Sequence, residues 1–148
     1  MNQDNLVALL TPLTFLLAVG VSFLTRTTLP MPRELARGLF LSGMILFTWA
    51  MLNLKRAFYG QVEPVTNELV RSGPYRWIRH PLYLGMVIFT LGMPLGFGSM
   101  WGMVAVLFLF VPAVVYRARL EEQALARKFG QAWSEYAKQT FFMFPLFR

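Results

Sequence analysis

The run PLYLGMVIFTLGMPLGFGSMWGMVAVLFLFVPAVVY, residues 81–116, decides the architecture of this chain, because it contains no charged residue and no histidine. A helix needs about 20 apolar residues to cross a bilayer, so the run is too long for one span and long enough for two short ones. Gly92, Pro94, Gly96, Gly98 and Ser99 gather near its middle, and breakers clustered in this way mark a turn. The reading is a tight helical hairpin, Pro81–Leu95 and Met100–Tyr116. Gly98 and Gly102 form a small-residue pair beside the bend. Helices this short are expected to tilt or to thin the membrane locally.

Toward the N-terminus, Leu6–Leu24 is apolar and free of charge, with Pro12 as a candidate kink. Gly38–Leu54 is a further candidate span, closed by Lys55 and Arg56. Gly38 and Ser42 offer a small-residue spacing along it that would let helices approach closely. The loop from Arg26 is kept out of helix by Pro30 and Pro32. The N-terminus lacks the basic leader and small-residue cleavage site of a signal peptide, so the first apolar segment is expected to stay as an anchor.

Composition agrees. Hydrophobic residues make up 56% of the 148 and charged residues only 14%, against roughly a quarter charged in a soluble domain. The expected fold is therefore an all-α integral membrane domain of about four transmembrane helices. Residues 1–54 would form two spans, 55–80 a cytosolic connector, 81–116 the hairpin and 117–148 a cytosolic tail carrying an interfacial helix. Trp133, Tyr136, Phe141, Phe142, Phe144 and Phe147 give that tail the aromatic content of a head-group boundary.

The net charge of +7 follows the same topology and not a nucleic-acid stripe. Of 14 Lys and Arg residues, Arg26, Arg33 and Arg37 lie in the first loop and the remaining eleven (14 − 3) in the connector and tail. The positive-inside rule puts those two stretches and both termini in the cytosol. The first helix judged alone, with no basic residue before it, would favour the reverse. With no cysteine and one histidine, disulfides, thiolate zinc sites and His-rich metal sites are excluded.

The hairpin returns its two ends to one membrane face. One end reads Arg71-Ser-Gly-Pro-Tyr75-Arg76-Trp77-Ile78-Arg79-His80-Pro81-Leu82-Tyr83, and the other Tyr116-Arg117-Ala-Arg119-Leu-Glu121-Glu122. Pro81 suits a first helical position, so Arg79 and His80 sit at a helix mouth whose free amides favour an anion such as a ligand carboxylate. Tyr83 lies one turn inside. Glu121 and Glu122 are about 100° apart on a helix, so one is expected to receive a ligand amine while the other pairs outward. Each feature has a plain reading too: arginines as head-group anchors, the glutamates as a solvated ion-pair face, the histidine as a cap, and Tyr75 and Trp77 as belt aromatics.

In combination they are more specific. Arg71-Ser-Gly-Pro-Tyr-Arg-Trp-Ile-Arg-His-Pro-Leu-Tyr-Leu-Gly, then a hairpin, then Arg117-Ala-Arg-Leu-Glu-Glu resembles the isoprenylcysteine carboxyl methyltransferase and phospholipid methyltransferase family. Phe129-Gly130, Trp133, Tyr136 and Phe144-Pro145 resemble its tail. The resemblance implies S-adenosylmethionine as cofactor, S-adenosylhomocysteine as product, and a lipid or lipid-modified acceptor. By that resemblance His80 and the Pro81 helix start hold the methionine carboxylate, and Glu122 with Glu121 holds the α-amino group. Tyr75 and Tyr83 line the pocket, and Arg117 and Arg79 are the catalytic candidates, Arg117 facing the acceptor. An amine acceptor would have to lose a proton, and His80 is the one imidazole to take it. The expected setting is a bacterial inner membrane, with the site facing the cytosol and no nucleic-acid partner. Phospholipid N-methylation of ethanolamine, an NADPH-dependent membrane reductase of similar architecture and a non-enzymatic membrane subunit are the alternatives. The acceptor and the oligomeric state stay open.

Overall fold

The computed structural model describes residues 3–27, 32–54 and 69–144, with side chains from Leu9 onward. Pro30, the Lys55–Arg56 closure of the second span, Pro145 and Phe147 lie outside the described residues. Among the described residues four apolar helices carry the fold: α1 (Gln3–Leu24), α2 (Arg33–Leu54), α3 (Pro81–Phe97) and α4 (Met100–Phe129). A short α5 (Gln131–Gln139) follows. The chain is an all-α membrane protein: α2 and α4 meet the length and apolarity needed to cross a bilayer, and Leu9–Leu24 and Pro81–Phe97 are shorter apolar helices beside them. α1 runs through Pro12 without interruption. α2 begins at Arg33, five residues before the expected start, so Arg33 and Arg37 belong to its first turns and not to a loop.

α3 is the central helix, buried along most of its length. It packs on α2 on one side and on α1 and α4 on the other. Helices in lipid gain little from expelling apolar surface, so close backbone contact must supply the packing energy. Gly43 on α2 and Gly85 and Gly92 on α3 allow it. A Cβ on Gly43 would sit 2.8 Å from the Gly85 carbonyl oxygen, one on Gly85 would sit 2.6 Å from the Phe47 amide, and one on Gly92 would sit 2.8 Å from the Phe40 amide. Ala36, Gly43 and Ala50, seven residues apart, form the buried stripe of α2. Gly38 and Ser42 do not serve that contact: a Cβ on Gly38 meets nothing within 4 Å, and Ser42 is exposed. The stripe is set by which face meets α3, with Gly43 next to Ser42 in sequence and Ala36 two residues before Gly38. Phe89 then takes the edges of Phe15, Phe40 and Phe47, at centroid distances of 6.0, 6.2 and 6.0 Å, and so joins three helices.

The hairpin bend is tighter than expected, with α3 extending to Phe97. Gly98 adopts φ +66, its amide bonds Leu95 O at 3.3 Å and the Ser99 amide bonds Pro94 O at 2.8 Å, a Schellman closure that needs the left-handed residue. Ser99 immediately caps α4 by accepting the Gly102 amide at 2.8 Å. Thr25 shares a 2.6 Å hydrogen bond with Ser99, and Thr27 donates to the Gly98 carbonyl, so the end of α1 is pinned to the bend. Gly102 makes the close approach to Ser22 of α1 that its size predicted.

α4 does not stop at Tyr116 but runs on to Phe129, so Arg117, Glu121 and Glu122 stand on the rigid continuation of an apolar helix and not on a separate interfacial one. A π-helical turn occupies Val106–Phe110, where the Val111 amide reaches back to Val106 O. Pro112 has no amide to give Phe108 and its ring crowds that carbonyl, which accounts for the widened turn beside it.

Candidate functional site

The site is built where the start of α3 meets the outer part of α4. Before α3 the chain makes a 3-10 turn over Gly73–Arg76, with Gly73 at φ +57 against the Asn53 side chain and Pro74 at the start of the turn. Tyr75 is buried here, and burial, then the nearby Glu121 charge, pushes its phenol pKa well up. His80 follows as the N-cap of α3, and Pro81 takes the first helical position. The first intrahelical bond is from the Leu84 amide to His80 O at 3.0 Å, and His80 gives no side-chain cap. The Leu82 and Tyr83 amides therefore head the helix without an intrahelical acceptor.

His80 is 5% exposed, and its Nε2 is fully buried with no hydrogen-bond partner. Nε2 lies 3.6 Å from Glu122 Oε1, just outside hydrogen-bond reach, and Nδ1 lies 3.9 Å from Glu121 Oε2. Both carboxylates thus face the one imidazole. The expectation that only one could point inward fails for a simple reason: a ring placed between two adjacent helix positions presents a nitrogen to each.

The two glutamates are held by different partners. Tyr83 donates its hydroxyl to Glu121 Oε1 and accepts from Arg117 Nε at 2.8 Å, and Arg117 Nε is itself 3.6 Å from Glu121. Arg79 Nε donates to Glu122 Oε1 at 2.6 Å, and Arg119 Nη1 reaches Glu122 Oε2 at 3.3 Å. Arg79 and Arg117 are buried, whereas Arg119 is exposed. Among the residues expected from sequence, Tyr83, His80, Pro81, Arg117, Arg79, Glu121 and Glu122 meet at this point, and buried Tyr75 lies in the turn just before them.

Sequence reasoning gave no site role to Phe142, Thr140 or Tyr136. The chain after α5 returns along the start of α3. The Phe141 amide bonds Trp77 O at 2.8 Å, the Arg79 amide bonds Phe141 O at 2.8 Å, and the His80 amide bonds Phe142 O at 3.1 Å. Phe142 sets its ring edge-on to His80 with centroids 5.1 Å apart, under the Arg119 guanidinium at 3.9 Å. Tyr136 donates to the Tyr75 carbonyl at 2.7 Å, its own pKa pushed up to about 12 by burial against the opposing pull of Arg79 and Arg71. The sequence signals around this strap were its aromatic content, which also fits a membrane interface, and the tail resemblance at Tyr136 and Phe144-Pro145.

A buried imidazole nitrogen without a hydrogen bond among the described residues, a helix start with free amides and two carboxylates within one cluster suit a zwitterionic amino-acid head group: a nitrogen and amides for its carboxylate, acidic oxygens for its ammonium. Among the described residues no group of three or more His, Asp or Glu side chains is placed to hold a metal ion.

Fold and site together define a membrane helical hairpin with a cluster of buried polar side chains at its open end. The phospholipid methyltransferase family model matches residues 32–132, and this chain belongs to that family. It is 36% identical over 74 residues, 49% of its length, to the Delta(14)-sterol reductase TM7SF2 of Mus musculus, and covers 18% of that protein. It is also 36% identical over 115 residues, 68% of its length, to the cobalt-zinc-cadmium resistance protein CzcN of Cupriavidus metallidurans. It spans half the length of that relative.

Proposed function

We propose that this chain is an S-adenosylmethionine-dependent methyltransferase that acts at the membrane on a lipid or lipid-linked acceptor. The observation that carries the reading is the buried His80 Nε2 at the head of α3, which makes no hydrogen bond among the described residues while Glu121 and Glu122 face its ring. His80 with the Leu82 and Tyr83 amides would bind the donor's carboxylate, and Glu121 and Glu122 its ammonium. Tyr75 and Tyr83 would line the pocket, where an aromatic face favours a cation. When bound, the donor supplies an electrophilic methyl group on a sulfonium.

Arg117, buried beside Tyr83, would attract an anionic acceptor such as an isoprenylcysteine-type carboxylate, which needs no base. A phospholipid ethanolamine amine would need one, and His80 is the imidazole at hand. Burial of the cluster keeps water away, and fixed partners supply the positioning. Family membership and the site chemistry support this reading. A second reading, an NADPH-dependent reductase, is favoured by the similarity to the mouse sterol reductase.

Calorimetry on detergent-purified protein tests both. Wild type is expected to bind S-adenosylmethionine and not NADPH, with His80→Ala and Glu122→Gln weakening binding at least about tenfold, the scale of one charged hydrogen bond. Glutamine is chosen because it keeps an acceptor for Arg79. Binding of NADPH alone would install the reductase, and binding of neither ligand would sink both.

A further inference from the structure

Arg79 occupies an unusual junction. Its side chain is 6% exposed, and one guanidinium serves two separate parts of the chain. Nε donates to Glu122 Oε1 at 2.6 Å. Nη1 donates to Ala137 O at 2.8 Å and Thr140 O at 2.6 Å, at the end of α5, where helix carbonyls run out of amide partners. Thr140 closes the same turn by donating its hydroxyl to Tyr136 O at 2.7 Å. From there the chain enters the Phe141–Met143 strap, which carries the Phe142 ring to His80. The strap is buried, with Phe142 4% and Met143 0% exposed, and it lies beyond residue 132, where the family match ends.

We propose that Arg79 is a positioning latch: it fixes the Glu122 carboxylate, the end of α5 and the Phe141–Met143 strap as one unit, and acts on ligand binding through Glu122 without touching ligand or acceptor. This revises the catalytic role expected for Arg79 from the sequence, and it rests on the donor-binding reading above. The residue type is the argument. A planar guanidinium can direct one edge at a carboxylate and another at two carbonyls, whereas a lysine offers one ammonium on a flexible stem and cannot span both. The Nε and Nη1 donors are already taken up by the Glu122 carboxylate and the Ala137 and Thr140 carbonyls.

The test combines two measurements on full-length protein in detergent. Hydrogen exchange without ligand reads the strap, and calorimetry with S-adenosylmethionine reads the pocket, in wild type, Arg79→Lys, Arg79→Gln, Glu122→Gln and the Arg79→Gln/Glu122→Gln double variant. Exchange of the 137–143 amides is expected to rise about tenfold or more in both Arg79 variants, including the milder lysine. Donor affinity is expected to fall about tenfold, with the double variant no weaker than Glu122→Gln alone, as for two residues acting through one contact. Additive losses would mean that Arg79 meets the ligand directly and would overturn the latch. So would unchanged exchange in the Arg79 variants. Wild type that binds no donor would overturn the function, and the latch's route through Glu122 with it. Wild type that binds donor while either latch criterion fails leaves the function standing and removes the latch alone.

Discussion

At the scale of single residues the site is a set of buried charges that hold one another, and removing them has unequal costs. The Arg79–Glu122 pair is 6% and 15% exposed. Breaking such a pair from one side strands a buried charge and costs about 3–5 kcal/mol, more than the pair contributes when intact. Glu122→Ala is therefore expected to lower the thermal midpoint sharply, while Glu122→Gln, which still accepts from Arg79, lowers it much less. Differential scanning fluorimetry separates them, and equal losses would mean the pair is solvated. Tyr83 poses the opposite case. Its hydroxyl donates to Glu121 and accepts from Arg117, yet those two already stand 3.6 Å apart on neighbouring turns of α4. In Tyr83→Phe they can close on each other, so stability is expected to fall by only about 1–2 kcal/mol. The carboxylate then swings away from His80, and donor affinity is expected to fall about tenfold, a loss to be read by calorimetry. A variant that binds as wild type does would make Tyr83 a packing residue only.

At the scale of elements, the α2–α3 contact is decided by three glycines. A methyl at Gly85 meets backbone, the Phe47 amide at 2.6 Å and the Gly43 oxygen at 2.9 Å, and backbone cannot rotate aside. Gly85→Ala must push the helices apart and is expected to destabilise by about 1–3 kcal/mol, the usual cost of overpacking. Gly38→Ala, facing open space, is expected to leave the thermal midpoint unchanged or raise it slightly. The contrast also shows where the sequence could be read and where it could not. Gly98 and Ser99 announce the bend because a left-handed cap and a helix N-cap have local chemical requirements. That Gly43 and not Gly38 meets α3 depends on the rotation of one helix against another, which composition does not encode. Likewise, His80 and the Glu121-Glu122 pair were legible as candidates from motif and hairpin together. Their convergence on one imidazole was not, because it needs the offset between two helices. The strap from Phe141 to Met143 was hidden for a further reason: its bonds to Trp77, Arg79 and His80 are backbone to backbone, and backbone partners leave no mark in side-chain pattern.

At the scale of the whole molecule, polarity is distributed by end and apolarity by side. Leu13 and Leu16 on α1, Leu41 and Ile45 on α2, and Leu107 and Phe108 on α4 are all exposed, an apolar girdle suited to the hydrocarbon of a bilayer. α3 stays inside it. The Thr25 and Thr27 contacts fix the end of α1 at the hairpin bend, while Asn53 at the end of α2 accepts from Ser72 at 3.2 Å beside the site. The site and the bend are therefore at opposite ends of the bundle. The basic residues gather toward the site end, so the positive-inside rule predicts that this end faces the cytosol. The chain has no cysteine, so single cysteines can report the orientation without background. Met100 is 56% exposed beside the bend, and Gln131 is exposed at the start of α5. A membrane-impermeant maleimide should label Gln131→Cys in inside-out vesicles and Met100→Cys in right-side-out ones, because each thiol must ionise in water to react. The opposite pattern would reverse the topology and part the site from a cytosolic methyl donor. It would then count against the proposed reaction even if purified protein bound that donor, since binding in detergent does not depend on which face the site presents.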